Sequence, residues 1–122
     1  MARPAAGDEQ EFLYLTTRGR KTGRAREIEI WFTRRGRSYY VVAEHGLRAH
    51  FVQNLLVEPR VRWRVGTAKL AGRARVLRAD TAPALVRDIQ ARSKSKYGWG
   101  DGLVVELDPG PRRPRRVPRG DI

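Results

Sequence analysis

The sequence predicts a mainly β domain with two helices, an α+β fold whose small antiparallel sheet curls into a closed or partly closed barrel. Three observations lead there. Six stretches carry the period-two alternation, or the aromatic and β-branched content, of strands. Several of them are joined by connections of hairpin length. Only two stretches have helical spacing, too few for a doubly wound sheet, and closing the sheet removes exposed edges.

In chain order, Glu11 to Thr17 (EFLYLTT) reads as a mostly buried strand and runs into a basic loop, Arg18 to Arg26. From Glu27 to Phe32 the residues alternate, with Ile28, Ile30 and Phe32 on one face and Glu27, Glu29 and Trp31 on the other. Arg34 to Arg37 is a turn, and Ser38 to Ala43 completes a hairpin with the preceding strand. Leu47 to Glu58 has a helical stripe of Leu47, Phe51 and Leu55, joined by Val52 and Leu56, which Pro59 stops.

Arg60 to Val65 returns to period two, with Val61, Trp63 and Val65 inward and three arginines outward. A turn at Gly66-Thr67 pairs it with Lys69 to Arg78 in a second hairpin. Asp80 or Thr81 can cap a second helix, Pro83 suits its first turn, and Leu85, Val86 and Ile89 form its apolar stripe. This helix should fray from Ser93 to Gly98. Gly102 to Asp108 is the last strand. The expected organisation is a flexible segment over residues 1–10, one domain over 11–108, and a disordered Pro/Arg-rich tail over 109–122.

The chain has 122 residues and no cysteine, so disulfides and thiolate sites are excluded and redox chemistry requires a cofactor. No apolar run is long enough for a signal or membrane span, which makes a cytoplasmic protein the expectation. The formal net charge is +13, from 26 Lys plus Arg against 13 Asp plus Glu. Five arginines and one aspartate give the tail +4, leaving +9 on the rest. The body itself expects an anion. Nonspecific nucleic-acid binding, through the tail and the face of Arg60, Arg62 and Arg64, is one reading.

The loop Arg18-Gly19-Arg20-Lys21-Thr22-Gly23-Arg24-Ala25-Arg26 holds five cations and no acid. Such a loop repels itself unless an anion or acidic neighbours offset the charge. Arginine offers bidentate hydrogen bonds to phosphate or carboxylate, and the glycines can bring backbone N–H groups close. A solvated hairpin connection is the competing reading. A Walker loop is excluded, because no glycine stands at the required spacing before a Gly-Lys-Ser/Thr.

Leu15 to Arg26 (LTTRGRKTGRAR) resembles the LTTxGRKTGxxR signature of the deazaflavin-dependent nitroreductase family. Downstream, Asn54-Leu55-Leu56-Val57-Glu58-Pro59-Arg60-Val61 is similar to that family's Asn-Leu-x-x-x-Pro-x-Val pattern, in the same order. The resemblance implies a split β-barrel of the flavin-reductase or FMN-binding type. It also implies coenzyme F-420, whose phosphate and oligoglutamate tail would lie against the basic loop. Arg20, Lys21 and Arg26 would grip anionic groups there, and Thr22 and Gly23 would supply close polar and backbone contacts. Two departures stand out: Ala43-Glu44-His45-Gly46 replaces a common Ala-Ser-Lys-Gly, and Phe51-Val52 replaces a Trp-Tyr pair before Asn54.

Glu44, His45, Phe51 and Asn54 join the candidate cofactor residues on the same ground. His45 and His50 are five apart with no completing ligands, so no metal site is expected. Tyr97 and Trp99, flanked by glycines, could close over a planar ligand or plug a barrel end, and Trp31 could line a substrate pocket or a dimer interface. No catalytic residue emerges, as befits a hydride transfer in which the cofactor carries the chemistry. The function expected is a reductase passing hydride from reduced F-420 to a quinone, nitroaromatic or enone. FMN is the alternative cofactor; a carrier or sensor without turnover and a nucleic-acid module are the alternative functions.

Overall fold

The computed structural model describes residues 10–110. The segment before Gln10 and most of the basic tail, with their expected flexibility, lie outside the described residues. Seven strands and two helices follow one another as β1 (Phe12–Arg18), β2 (Ala25–Trp31), β3 (Thr33–Arg35), β4 (Ser38–Ala43), α1 (His50–Val57), β5 (Arg60–Val65), β6 (Ala68–Leu77), α2 (Pro83–Tyr97) and β7 (Leu103–Asp108). The sheet is antiparallel with strand order β2-β1-β5-β6-β7-β4-β3. This is the mainly β, two-helix split barrel that the sequence predicts.

The first and last strands of that order are neighbours in the chain, with Phe32 alone between them. Here the structure corrects the expected single strand over 27–32 paired to 38–43. The run is one path that changes partners. Residues 25–31 pair with β1, and only Thr33–Arg35 pair with β4. The hairpin turn is then Gly36-Arg37, with Gly36 at φ +61, the sign its first position demands.

Tyr97, the last residue of α2, secures the change of partners. Its hydroxyl oxygen accepts the Phe32 N–H at 3.1 Å, and its proton is shared between the carbonyls of Glu11 at 2.6 Å and Phe32 at 2.9 Å. Lys96 donates to the same Phe32 carbonyl at 3.1 Å. The Tyr97 ring stacks on Trp31 with centroids 4.5 Å apart. Backbone groups released from the ladder at the break thus find side-chain partners, as buried polar groups must.

The core has two parts. Inside the curl, Leu13, Leu15, Phe32, Val41, Val52, Leu55, Trp63 and Val65 pack with α1 against the sheet. On the other side of β4 and β7, Tyr40, Leu77 and Val104 receive Val86 and Ile89 of α2. Fully burying each such aliphatic side chain contributes about 1.5–3 kcal/mol. Glu106, also buried there, accepts the Tyr40 hydroxyl at 3.0 Å and the Arg75 guanidinium at 2.9 Å. Burial first, and the Glu106 charge second, push the Tyr40 hydroxyl's pKa up.

Both helices differ in extent from expectation. Gly46–Arg48 is a separate 3-10 turn and Ala49 is extended, so α1 begins at His50 and leaves Leu47 and Leu56 exposed. Helix α2 starts after Ala82 without a side-chain cap, because Asp80 pairs with Arg78 at 3.0 Å. Its end does not fray: Ser93 donates to the Trp99 carbonyl at 2.6 Å and Lys94 pairs with Asp101 at 3.1 Å. Among the described residues no helix is long and apolar enough to cross a membrane.

Replacing Tyr97 with Phe keeps the ring stack but leaves the buried Phe32 N–H without its acceptor. Urea unfolding should show a loss of about 1–3 kcal/mol. An unchanged midpoint would mean that the hydroxyl does not hold the break.

Candidate functional site

The basic loop is a closed turn. Gly19 N–H donates to the Arg24 carbonyl at 2.7 Å, Gly23 N–H to the Gly19 carbonyl at 2.8 Å, and the Arg18 guanidinium to the Gly23 carbonyl at 2.7 Å. Gly23 sits at φ +74, where a side chain would be strained. The N–H groups of Gly19 and Gly23 are therefore occupied within the loop. Those of Lys21 and Thr22, at the tip, have no acceptor among the described residues.

Asn54 ties this loop to the barrel. It is buried, and its side-chain oxygen accepts both the backbone N–H of Arg20 at 3.1 Å and the Arg20 guanidinium at 2.8 Å. Its amide donates to the Thr17 hydroxyl at 3.3 Å. One side chain of α1 thereby positions the end of β1 and the first residue of the loop tip. The Arg20 guanidinium also lies 3.4 Å from Nδ1 of His50.

Between loop and helix lies a cleft of about 420 Å³, lined by Arg20, Lys21, Thr22, Arg26, Phe51 and Asn54 among the residues singled out above. Thr17, Gly19, Glu27, Ile28 and His50 complete it. Three cations thus face one acid. Such a site can take an anionic group on charged side chains and on the open N–H groups of the tip.

The remaining candidates are elsewhere. Gly23 shapes the loop but does not line the cleft. Glu44 and His45 are exposed on the segment after β4, paired with each other at 3.6 Å. Trp31 and Tyr97 form the stacked pair at the strand break. Trp99 is half-buried against Gly102, where an added Cβ would come within 2.9 Å of the indole. Val52 is fully buried in the barrel core, so the departure at that position changes core volume and not a wall of the cleft. No group of three or more metal-binding side chains occurs among the described residues.

His50 was not among the candidates, although its spacing from Asn54, i to i+4 on one helical face, carried the signal. Considered only as a metal partner for His45, it had no such role. A second concavity, of about 590 Å³, adjoins the cleft at Thr17 and is lined by Arg18, Arg60, Arg62, Arg73 and Glu58.

Fold and cleft together describe a split-barrel protein with a cationic cleft between its basic loop and its first helix. Residues 5–101 match the family described as F420H(2)-dependent quinone reductase, and the chain belongs to that family. No curated protein is similar enough to count as a relative. Among solved structures, the heme storage protein HutZ from Vibrio cholerae aligns with TM-score 0.67 at 18% identity over 85% of this chain and 84% of its own. An F420-H2 dependent reductase, FDR-A, aligns with TM-score 0.58 at 21% identity over 87% of this chain and 100% of its own. A further neighbour, a domain-swapped dimer, has TM-score 0.58 at 20% identity, covering 80% of each chain. These likenesses carry the fold; the family match makes the chain a deazaflavin-dependent oxidoreductase that uses coenzyme F-420.

Two predictions follow from this geometry. Asn54→Ala should leave the Arg20 N–H and the Thr17 hydroxyl unpaired, costing about 1–3 kcal/mol and raising hydrogen exchange at the loop tip; unaltered exchange there would show that the loop holds itself. The Arg60 guanidinium and N–H, hydrogen-bonded to Glu58, lower that carboxyl from 4.5 to about 2. A depressed carboxylate pKa stabilises the fold above the unfolded value, and this contribution is lost as pH falls through the folded one. Carbon-detected NMR should therefore see Glu58 titrate near pH 2 in the native protein and near the ordinary range in Arg60→Ala; equal midpoints would remove the pair as the cause.

Proposed function

We propose that the cleft between the basic loop and α1 holds the phosphate of reduced coenzyme F-420, and that the protein reduces an organic acceptor of the quinone class. The observation that carries this is the convergence of Arg20, Lys21 and Arg26 on one cleft, with Arg20 held in place by buried Asn54. Lys21 and Arg26 are exposed and make no ion pair among the described residues. Their charge is available to a ligand.

When bound, the cofactor supplies the hydride, and the chain's residues bind and orient. Lys21, Arg26 and the N–H groups of Lys21 and Thr22 would contact phosphate oxygens. Arg20 would contribute its charge from a fixed position, and Phe51 would form an apolar wall. Glu44 and His45, placed by resemblance near the ring, would face the reacting end. No protein nucleophile is required. A cytoplasmic homodimer belongs to the same proposal. Supporting the dimer are the exposed Leu47 and Leu56 at an apolar groove of about 770 Å³, and exposed Val57 beside them.

Substituting Gln for both Arg20 and Lys21 should weaken F-420 binding at least tenfold, since charge-assisted hydrogen bonds contribute roughly 1.5–3 kcal/mol. Fluorescence titration measures it, with FMN offered in parallel. Unchanged affinity in the folded double variant would put the phosphate elsewhere, and tighter binding of FMN than of F-420 would change the cofactor.

A further inference from the structure

His50 opens α1 and is exposed along the cleft. Its Nδ1 lies 3.4 Å from Nη2 of Arg20, whose Nη1 donates to Asn54 at 2.8 Å. Two residues of α1, one turn apart, thus meet the same guanidinium. They differ in what they can become. The Asn54 amide has one form, is buried, and is engaged with Arg20 and Thr17. An imidazole has a neutral and a charged form, and histidine exchanges them within the physiological pH range.

A guanidinium nitrogen is a donor only. The contact with Arg20 therefore needs the Nδ1 lone pair, which the neutral ring has and the imidazolium lacks. Once protonated, the ring carries an N–H at both nitrogens, and its Nδ1–H faces a cation it cannot bond. The surroundings add to that conflict. Arg20 and Lys21 share the cleft from the loop, Arg26 shares it from β2, and Arg48 stands two residues before His50. The N-terminal end of a helix also disfavours positive charge. Glu27, the acid lining the cleft, pairs with Arg64 at 3.9 Å, and no carboxylate pairs with His50 among the described residues.

An oxyanion bound between His50 and Arg20 removes the conflict. Its oxygens accept from both side chains, so one weak contact is exchanged for two charge-assisted hydrogen bonds. We propose that His50 is a proton-coupled ligand of the cofactor's phosphate. Without the anion it is neutral and accepts from Arg20; with the anion it takes a proton from solvent and donates Nδ1–H to a phosphate oxygen. The inference rests on the placement of the phosphate in this cleft and adds a pH-dependent ligand to it. By linkage, uptake of a proton on binding makes affinity rise as pH falls.

The test follows F-420 binding by fluorescence at about pH 6 and about pH 8, with the His50 ring read in parallel by long-range proton–nitrogen NMR. The native protein should bind about fivefold more tightly at the lower pH, and calorimetry in buffers of different ionisation enthalpy should show net proton uptake. Before addition of cofactor at the higher pH, Nδ1 of His50 should carry no proton; after addition at the lower pH, both ring nitrogens should. His50→Gln stays polar but cannot titrate, and should reduce the affinity ratio to less than about twofold. His50→Lys, charged at both pH values, should give a flat profile as well. Sulfate, a tetrahedral oxyanion with no proton to exchange in this range, separates the phosphate site from any titration of the cofactor ring; it should compete with the same preference for the lower pH. A ratio that survives in His50→Gln, a flat native profile, or sulfate competition without pH preference overturns the role of His50 while leaving the cleft reading intact. Affinity that is unchanged when Arg20 and Lys21 are both replaced by Gln overturns the cleft reading and this inference with it.

Discussion

The change of partner at Phe32 is the constraint on which the rest of the barrel depends. A seven-stranded sheet has two edges, and here both are parts of one chain segment, β2 and β3, separated by a single residue. The sheet must therefore curl far enough to bring its ends together. Curling creates the enclosed core of Leu13, Leu15, Val41 and Trp63 and leaves α2 to cover the outside of β4, β6 and β7. A break in a ladder exposes backbone groups that cost free energy when buried, so the same helix that covers the sheet must end at the break with a hydroxyl. Tyr97 meets that need, and Ser93 and Gly98 fix the helix end from which it reaches.

Because the break holds one end of β2, the other end is free to carry a loop whose composition would otherwise disfavour folding. Five cations within nine residues repel one another. The loop offsets this with internal hydrogen bonds and with one strong anchor, Asn54. Nothing in the loop reaches into the core, so its charges remain at the surface, where a ligand can meet them. The buried anchor and exposed charges divide two tasks that a single residue could not perform, since an anion-binding cation cannot itself be buried without a partner.

Much of this was legible in the sequence because it rests on local pattern. The alternation over Arg60 to Val65 reappears as β5, with valines and tryptophan inward and arginines outward. The loop composition pointed to an anion-accepting segment and the resemblance added Phe51 and Asn54; Arg20, Lys21, Thr22 and Arg26 line one cleft with those two residues. What the pattern could not convey was partner identity. Period two specifies which face is buried but not which strand lies alongside, so Glu27 to Phe32 read as half of a hairpin when it forms the opposite edge. The end of α2 was misread for a related reason. Its polar last turns look weak in isolation, yet they are secured by a local hydrogen bond from Ser93 to Trp99 and by hydrogen bonds to Phe32 and Glu11 that only the closed barrel brings within reach.

Neighbouring residues of α1 show how such a site can vary without loss of the fold. Val52 is enclosed by the core, where an added or removed methylene is felt as strain or cavity. Phe51 and His50 face the cleft, and Asn54 joins cleft to core. A change at 52 therefore acts first on stability, at 50 or 51 on what the cleft accepts, and at 54 on both. Glu44 and His45 lie beyond β4, outside both cores and paired to each other. An unusual acid at that point can be tolerated because no packed element depends on it. Positions that can change without disturbing either core are accordingly concentrated at the basic loop, the first turn of α1 and the segment after β4, while the strand break and its tyrosine keep the barrel closed.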